Sequence, residues 1–600
     1  MGRYMDTLKR IQARTEAHRP ASLASRGYEI NETNEKSPLP PLSPPPLFSS
    51  NSSISYDRYG ENGVAPKGVP ADTPVAVDLE TVGLGNGLPL PWHPGSALCC
   101  VGFALDGRRF AFQAGNRTGI QAVLRRPGPK IFHHAGYDLV WLLASGFEVA
   151  GPVHDTLWPI AFQNGTAAKG LKAQGPAEYP VYLPKDFALF PQLVREYCAN
   201  DAVATLALYS KGSRWHGHRL YALYSRLALR IARLCTRGLP LFADRTKALY
   251  QDTTAQREAL HRELIVIKPI TWTSPKQVAR YLGIPSTEDA ALAVCAHPAA
   301  PILRKFRSAD KLLTAFLRKF HRAERVHGLI SLGGSRIGRT SSNHINLQNI
   351  PKDRAVRRLF GTPSSLWLQL DFAQAELVVA AVLAECRPLL DAFREGRDPH
   401  LETASRIFGV SLTAVTREQR ALGKLLNFAL LYGAGVGKVV EQADLNGIAL
   451  TVAQAAEFRN QWFRAYPKIR AWQDRIRRRL FRGNAITSAF GRRWSIDPTQ
   501  PRGWNQALQA PVASTASDLL LLGLDAVWDR LEAVGAILNL VHDEIDVLIP
   551  ADTWADVQSM VRDLAITMAG IDPRFPMRVE VGVGPTWGET IPQFVVGGEG

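Results

Sequence analysis

Apolar and polar positions alternate regularly enough along this chain to predict individual elements. Trp367–Glu376, WLQLDFAQAE, reads as a short apolar strand that ends at Asp371 and runs into a helical pattern from Gln374 to Leu383. Asn539–Val547, NLVHDEIDV, reads as two apolar strand-like runs with Asp543 at their tip, flanked by His542 and Glu544. Val75–Thr81, VAVDLET, alternates so that Asp78 and Glu80 leave one face of a strand and Val77 and Leu79 the other. Phe132–Leu142, FHHAGYDLVWL, puts Asp138 at the start of an apolar helix-like run, and Tyr197–Asp201, YCAND, sets a phenol and a carboxylate one helical turn apart. Thr271–Leu282 begins a helix with Ser274 as cap and Pro275 in first position. In Arg417–Gly435, REQRALGKLLNFALLYGAG, Arg420, Lys424, Phe428 and Tyr432 recur every four residues. Each such step turns a helix by about 400°, so the four drift by only about 40° at a time and share one side.

Composition widens the picture. At 600 residues the chain predicts more than one domain. Its 71 Lys plus Arg against 54 Asp plus Glu give +17, with a sequence pI near 9.7, the surplus needed to track a phosphate backbone. Basic ribosome-associated or membrane-surface proteins share that balance. The cysteines Cys99, Cys100, Cys198, Cys235, Cys295 and Cys386 show no metal-ligand spacing, which suits a reduced, cytoplasmic protein. No apolar run reaches the roughly 18 residues of a membrane span; the longest, near Leu519–Leu524, is too short. Nothing resembles a secretory signal. Residues 1–70 combine a basic helix, Met5–His18, with a Pro/Ser run that cannot bury enough apolar surface to fold alone, so they read as a tail.

The candidate chemistry is carboxylate and cation chemistry. Asp371 reads equally well as a helix cap. Paired with Asp543 from a separate strand, it gives two acids that can hold divalent ions about 3.5–4 Å apart for in-line phosphoryl transfer. Asp78 and Glu80 repel each other unless a cation lies between them, a solvated edge strand being the alternative. The cations Arg420 and Lys424 can bind a triphosphate and the rings of Phe428 and Tyr432 can lie against sugar and base; otherwise the segment is a basic amphipathic helix with core aromatics. Gly338–Pro351, GRTSSNHINLQNIP, is either self-capped turn structure or a loop whose amides and Arg339 read minor-groove acceptors without sequence preference. Arg304–Phe320 is a basic amphipathic run that suits gripping a duplex by its phosphates.

The set Asp78, Glu80, Asp138, Tyr197 and Asp201 resembles the DEDD-type 3′–5′ proofreading exonucleases with tyrosine in the last motif. That resemblance implies a ribonuclease H-like α/β fold, two metal ions on the four acids, and Tyr197 orienting a water. His134 departs from the usual asparagine. The stretches GRTSS…NLQNIP, LDFAQAEL, RALGKLLNFALLYG and VHDEI resemble the signatures of family A DNA polymerases, the bacterial DNA polymerase I group. Together the resemblances run from about Thr73 to the C-terminus and imply an α/β (α+β) multidomain chain. In it a ribonuclease H-like exonuclease domain (71–212) precedes a right-hand polymerase of thumb (213–330), palm (331–397 and 487–600) and fingers (398–486).

By position, the resemblance implies that Asp371, Asp543 and the carbonyl of Phe372 bind two Mg²⁺ ions, with Mn²⁺ able to substitute, and that Glu544 supports the site. Arg420 and Lys424 then hold the triphosphate, while Phe428 and Tyr432 shape the nucleotide pocket. Glu376 blocks a ribonucleotide 2′-hydroxyl. Gln374 and His542 contact the primer end, and Arg339, Asn346, Gln348, Asn349 and Gln509 meet DNA. Val378, Ala429, Asn505, Ala513 and Ser514 depart from the pattern, which implies altered template or primer contacts. The function implied is a monomeric, DNA-templated DNA polymerase with proofreading, acting on primer-template DNA and deoxynucleoside triphosphates with no membrane partner. Residues 1–70 leave no room for a 5′-nuclease domain. A single-subunit RNA polymerase or primase, and a catalytically silent accessory subunit, are the alternatives; Glu376 argues against the first and the retained carboxylates against the second.

Overall fold

The computed structural model describes residues 68–83, 89–93, 95–163, 170–171, 191–335 and 337–598. The helix expected over Met5–His18 and the Pro/Ser run lie outside the described residues. All described residues fall within the unit Ser55–Gly600.

The first sheet is built from β1 (Val75–Val82), β2 (Ala97–Leu105), β3 (Arg108–Gln113), β4 (Lys130–Phe132) and β5 (Val153–Asp155), with helices α1 (Ala135–Ala144), α2 (Pro191–Lys211) and α3 (Arg219–Arg237). Its order is β3-β2-β1-β4-β5; β1 to β3 run antiparallel and β1, β4 and β5 parallel. Helix α2 rides directly on β2 at Gly102, where a Cβ would lie 2.5 Å from the Cys198 carbonyl oxygen. Any side chain there would lift the helix that carries Tyr197 and Asp201 off the strands that carry Asp78 and Glu80.

A helical segment follows, Ala243–Ile267, Pro275–Leu282 and Ala299–Leu312. It has its own small core of Leu264, Trp272, Val278, Leu303 and Phe306. Ser274 caps its helix as expected, its hydroxyl accepting from the Gln277 N–H.

The second sheet is formed by β6 (Ser365–Phe372), β7 (Ala536–Val541), β8 (Glu544–Pro550), β9 (Arg578–Gly584) and β10 (Ile591–Gly597). Its order is β7-β8-β6-β9-β10, antiparallel throughout. The accompanying helices are α4 (Ala375–Leu383), α5 (Pro399–Phe408), α6 (Arg417–Leu431), α7 (Val452–Ala465), α8 (Pro467–Phe481), α9 (Gly503–Val534) and α10 (Trp554–Ala569). Period-two alternation gives this sheet two characters. Leu368, Leu370, Phe372, Ile545, Val547, Val579 and Val581 form one face and are buried in the main core. Gln369, Asp371, Glu544, Asp546 and Glu580 form the other. Helix α9 is buried at every position from Ala510 to Leu524. At 32 residues it is long and apolar enough to pass for a membrane span, yet 89% of its most apolar window is buried inside the protein. Polar Ser514, Thr515, Ser517 and Asp518 interrupt its leucines, which is why the sequence shows no long uninterrupted run.

One buried cation joins the two halves. Arg492, 1% exposed, donates Nη2 to Asp518 of α9 at 2.6 Å and to the Tyr224 hydroxyl of α3 at 2.5 Å. Its guanidinium also sits 4.8 Å from the Phe162 ring centroid. Removing one member of a buried pair strands the other charge, at about 3–5 kcal/mol, whereas apolar replacement of both is often neutral. Arg492→Ala is therefore expected to lower the thermal unfolding midpoint sharply, and Arg492→Met with Asp518→Leu to lose much less, as read by calorimetry.

Candidate active sites

Strand β6 is central, so Asp371 near its end has acidic neighbours on both sides. It pairs with Glu544 on β8 and with Glu580 on β9. Residues directly opposite in antiparallel strands point to the same face with Cβ atoms about 4.5–5.5 Å apart, so three carboxylates stand in a row across the sheet. A fourth, Asp543, occupies the two-residue turn between β7 and β8, where His542 adopts φ 57°. The turn is pinned to β6 by the Phe372 N–H, which donates to the Asp543 carbonyl at 3.1 Å. Burial, then Asp543, Glu544 and Glu580, push the Asp371 carboxyl up to about 8, with Lys352 opposing. Burial also raises Asp543. The Asp371 Oδ1 is buried and has no hydrogen-bond partner. An orphaned carboxylate oxygen among crowded acids fits a divalent cation with oxygen ligands.

Glu544 is held from behind. Its Oε1 accepts from Gln369 Nε2 at 2.8 Å and from the Trp587 indole at 3.0 Å. Asp546, fully buried beside it, accepts from the Trp367 indole at 2.7 Å.

Glu376, in the first turn of α4, binds both the Arg339 guanidinium and the Tyr432 hydroxyl in short contacts. Burial, with Glu376 adding to it, raises the Tyr432 phenol well above its ordinary value. Tyr432 ends α6, so this contact ties the cationic helix to the strand–helix unit that carries Asp371. Helix α6 begins with a capping box, Thr416 with Gln419, and presents Arg420, Lys424 and Phe428 toward one side. Arg420 donates Nε to Asp398 at 2.7 Å. Lys424 is exposed and in no ion pair among the described residues. Phe428 lies 5.9 Å from the His400 ring, centroid to centroid.

In the first sheet, ligand atoms of Asp78, Glu80 and Asp201 all lie within 4.8 Å of one another. Burial, then Asp201, Asp138 and Glu80, push Asp78 well above the usual carboxylate range. Tyr197 is raised by burial and by Asp201, to which its side chain is hydrogen-bonded. Asp138, buried on α1, is raised by burial and then by Asp155 and Glu80. It remains outside the group of close ligand atoms, so the four-acid set expected from the sequence is here a set of three with a fourth acid nearby. Asp155 is spoken for: it accepts the His134, Ala135 and Leu157 N–H groups at 3.0, 2.8 and 2.8 Å.

A family model for DNA polymerase family A matches residues 245–589. The chain belongs to that family. The thermostable DNA polymerase I of Thermus aquaticus is 32% identical over 311 residues, 49% of this chain and 36% of the relative. DNA polymerase I of Pseudomonas aeruginosa is 28% identical over 526 residues, 77% of this chain and 56% of the relative. The chain thus spans about a third to two thirds of the length of the curated relatives it matches. A solved structure, the POL domain of Pol1 from M. smegmatis in complex with DNA primer-template and dNTP, matches with a TM-score of 0.71 at 21% identity. The match covers 86% of this chain and 95% of that one, and at this identity it establishes the fold, the right-handed polymerase architecture expected from the sequence.

Other residues of this family A polymerase fold take the following places. Gln374 caps α4 at φ 55°, its Oε1 buried and without a partner, and the Asn346 Oδ1 is in the same condition. Gln348 spends its amide on Thr340 at 2.7 Å and on the Leu540 carbonyl at 3.0 Å. Asn349 and Gln509 are exposed. Val378, Ala429, Ala513 and Ser514 are buried, and Ser514 donates to the Ala510 carbonyl, so these departures act on packing and not by direct side-chain contact at the surface. Asn505 donates to the Tyr432 carbonyl at 2.7 Å. Glu580, Gln369, Trp587 and Asp398 were not anticipated. Arg578–Gly584, RVEVGVG, does carry a signal, an acid on the face opposite an unbroken valine alternation.

Because the folded chain holds the Asp371 proton more tightly than an unfolded aspartate does, metal-free protein loses stability as pH rises from 3.8 toward about 8. Asp371→Asn is therefore expected to melt higher than the parent in EDTA, by a margin that grows from pH 4 to pH 8 and then levels. Added magnesium should raise the midpoint of Asp371→Asn combined with Asp78→Asn less than that of Asp78→Asn alone, as read by differential scanning fluorimetry.

Proposed function

We propose that this family A chain is a DNA-templated DNA polymerase that extends a primer on primer-template DNA with deoxynucleoside triphosphates, and that it carries a 3′–5′ exonuclease in its first sheet. The observation that carries the reading is the orphaned Asp371 carboxylate within an acidic row, joined through Glu376 and Tyr432 to a helix that presents Arg420 and Lys424. The domain limits follow: exonuclease over 71–212, thumb over 213–330, fingers over 398–486, and palm on either side of the fingers.

In this reading Asp371, Asp543 and the Phe372 carbonyl hold divalent cations, magnesium or manganese. Such ions ease loss of the primer hydroxyl proton and stabilise the pyrophosphate leaving group. The chain supplies position and charge. Lys424 and Arg420 take the triphosphate, Arg420 exchanging Asp398 for phosphate oxygens. Phe428 and Tyr432 bound the nucleotide. Glu376 cannot swing aside while Arg339 and Tyr432 both hold it, so a 2′-hydroxyl meets a fixed carboxylate. Glu544, steadied by Gln369 and Trp587, keeps the negative field in place. In the first sheet Asp78, Glu80 and Asp201, with Asp138 beside them, hold the ions for attack by water, and Tyr197 orients that water.

Asp371→Ala is expected to lower primer extension by at least about 10³-fold, roughly 4 kcal/mol of barrier, while single-strand degradation continues; surviving extension would mean the site is misplaced. Asp78→Ala should do the reverse, and loss of both activities would sink the two-site division. Glu376→Ala should raise ribonucleotide incorporation relative to deoxyribonucleotide by on the order of tenfold or more, about 1.4 kcal/mol or more of lost discrimination. Matched single-turnover rates check this.

A further inference from the structure

Behind the acidic row, a second row of polar side chains crosses the same face of the sheet. On β6, Gln369 precedes Asp371 by two residues and so lies about 7 Å behind it on that face. It stands opposite Asp546 on β8, which in turn stands opposite Asn539 on β7. The two rows touch at Gln369. Its amide nitrogen donates to Glu544 Oε1 at 2.8 Å and to Asp546 Oδ1 at 3.5 Å, while its carbonyl oxygen accepts from the Thr590 hydroxyl. Because Thr590 takes the carbonyl end, the nitrogen is left facing the two acids. Asp546 Oδ1 also accepts from the Trp367 indole at 2.7 Å. Trp367 stacks on Trp587, the other donor to Glu544. Asp546 thus stands behind both of the groups that hold Glu544.

The rest of this second row is poorly satisfied. Asp546 and Asn539 are both 0% exposed, yet Asp546 Oδ2 and both amide atoms of Asn539 have no hydrogen-bond partner. Phe360, Leu538, Val541 and the two tryptophans form an apolar cluster in this part of the molecule. Every unpaired buried polar atom costs stability, and a half-satisfied polar row is less stable than an apolar one. Stability alone therefore favours apolar side chains at these two positions. The polar row has to be explained by what it orients.

We propose that Asp546 is a positioning residue for polymerisation: anchored by the Trp367 indole, it braces Gln369 and the stacked tryptophans, and through them keeps the Glu544 carboxylate aligned beside Asp371 for divalent cations. The assignment rests on the polymerase reading above. It makes the fully buried acid, which touches neither nucleotide nor DNA, a determinant of how tightly the acidic row holds magnesium.

The test uses the full chain carrying Asp78→Asn, which weakens the contribution of cations at the first sheet, and this chain is the reference. Differential scanning fluorimetry reads the melting midpoint in EDTA and the magnesium concentration that gives half of the full thermal shift. Asp546→Leu is expected to raise that concentration about tenfold, the low end of what loss of an outer support for a metal site costs. Asp546→Asn keeps an oxygen that can accept from Trp367 and Gln369, so it should stay within about twofold of the reference. Asp546→Leu combined with Asn539→Leu and Trp367→Phe should melt at or above the reference in EDTA and still need about tenfold more magnesium, opposite effects that a merely structural role does not produce. Trp367→Phe alone keeps the stack and loses only the indole donor; it should shift the magnesium requirement the same way by a smaller factor, and it serves as the readout where Asp546→Leu does not fold. In a Glu544→Gln background, Asp546→Leu should add less than about twofold, because the two act in series. Single-turnover extension by Asp546→Leu should lose about tenfold in maximal rate with the half-saturating nucleotide concentration nearly unchanged, since Arg420 and Lys424 lie on a different element. A magnesium requirement equal to the reference in both Asp546→Leu and Trp367→Phe would overturn the proposal. So would full additivity with Glu544→Gln, an Asp546→Asn variant as impaired as the leucine one, or a triple variant that melts below the reference in EDTA. A reference chain that extends no primer would count against the polymerase reading and leave the magnesium comparison to decide the role of Asp546.

Discussion

Uncompensated negative charge at the end of strand β6 is the constraint on which the second half of the molecule depends. Four carboxylates, Asp371, Asp543, Glu544 and Glu580, are brought together by sheet pairing and one tight turn. Like charges at that spacing oppose folding, and partial burial makes the opposition stronger. The apolar opposite face of the sheet, packed into the core, supplies the stability that keeps the acids together. The first sheet repeats the arrangement on a smaller scale with Asp78, Glu80 and Asp201. In both places the fold crowds together acids that repel one another unless a cation lies among them.

Next to the second site, the same sheet face carries polar groups where a core would ordinarily be apolar. Trp367 and Trp587 stack at 5.6 Å, yet each aims its indole N–H at a carboxylate, Asp546 and Glu544 respectively. Gln369 bridges those acids and also accepts from Thr590. Burial and the neighbouring Glu544 push Asp546 well above the usual carboxylate range. The Gln369 amide and the Trp587 indole together fix the orientation of Glu544.

Much of this was legible in the sequence because it is local. The strand ending at Asp371, the turn at Asp543, the Ser274 cap and the four-residue spacing along α6 each depend on neighbours within a turn or a hairpin. What escaped depends on which strands are adjacent. Glu580 faces Asp371 only because β9 lies beside β6, and no periodicity announces that. Asp398 meets Arg420 because two helices pack side by side. Ala513 and Ser514 are buried because α9 is enclosed on all sides, whereas a residue pattern alone suggests a surface facing a ligand. The distance of Asp138 from its partners is likewise a matter of how α1 seats on its sheet, where the His134 and Ala135 amides at its start bond to Asp155.

The contact of Tyr432 with Glu376 makes α6 a lever with its fulcrum at one end. A helix rises about 1.5 Å per residue, so Arg420 stands about 18 Å from Tyr432 and Phe428 about 6 Å. A swing of about ten degrees around the tethered end would carry the arginine through about 3 Å and the phenylalanine through about 1 Å. Motion of this layer is thereby amplified at the cationic end of the helix and damped beside Glu376. The charges can travel by ångströms while the aromatic end hardly stirs.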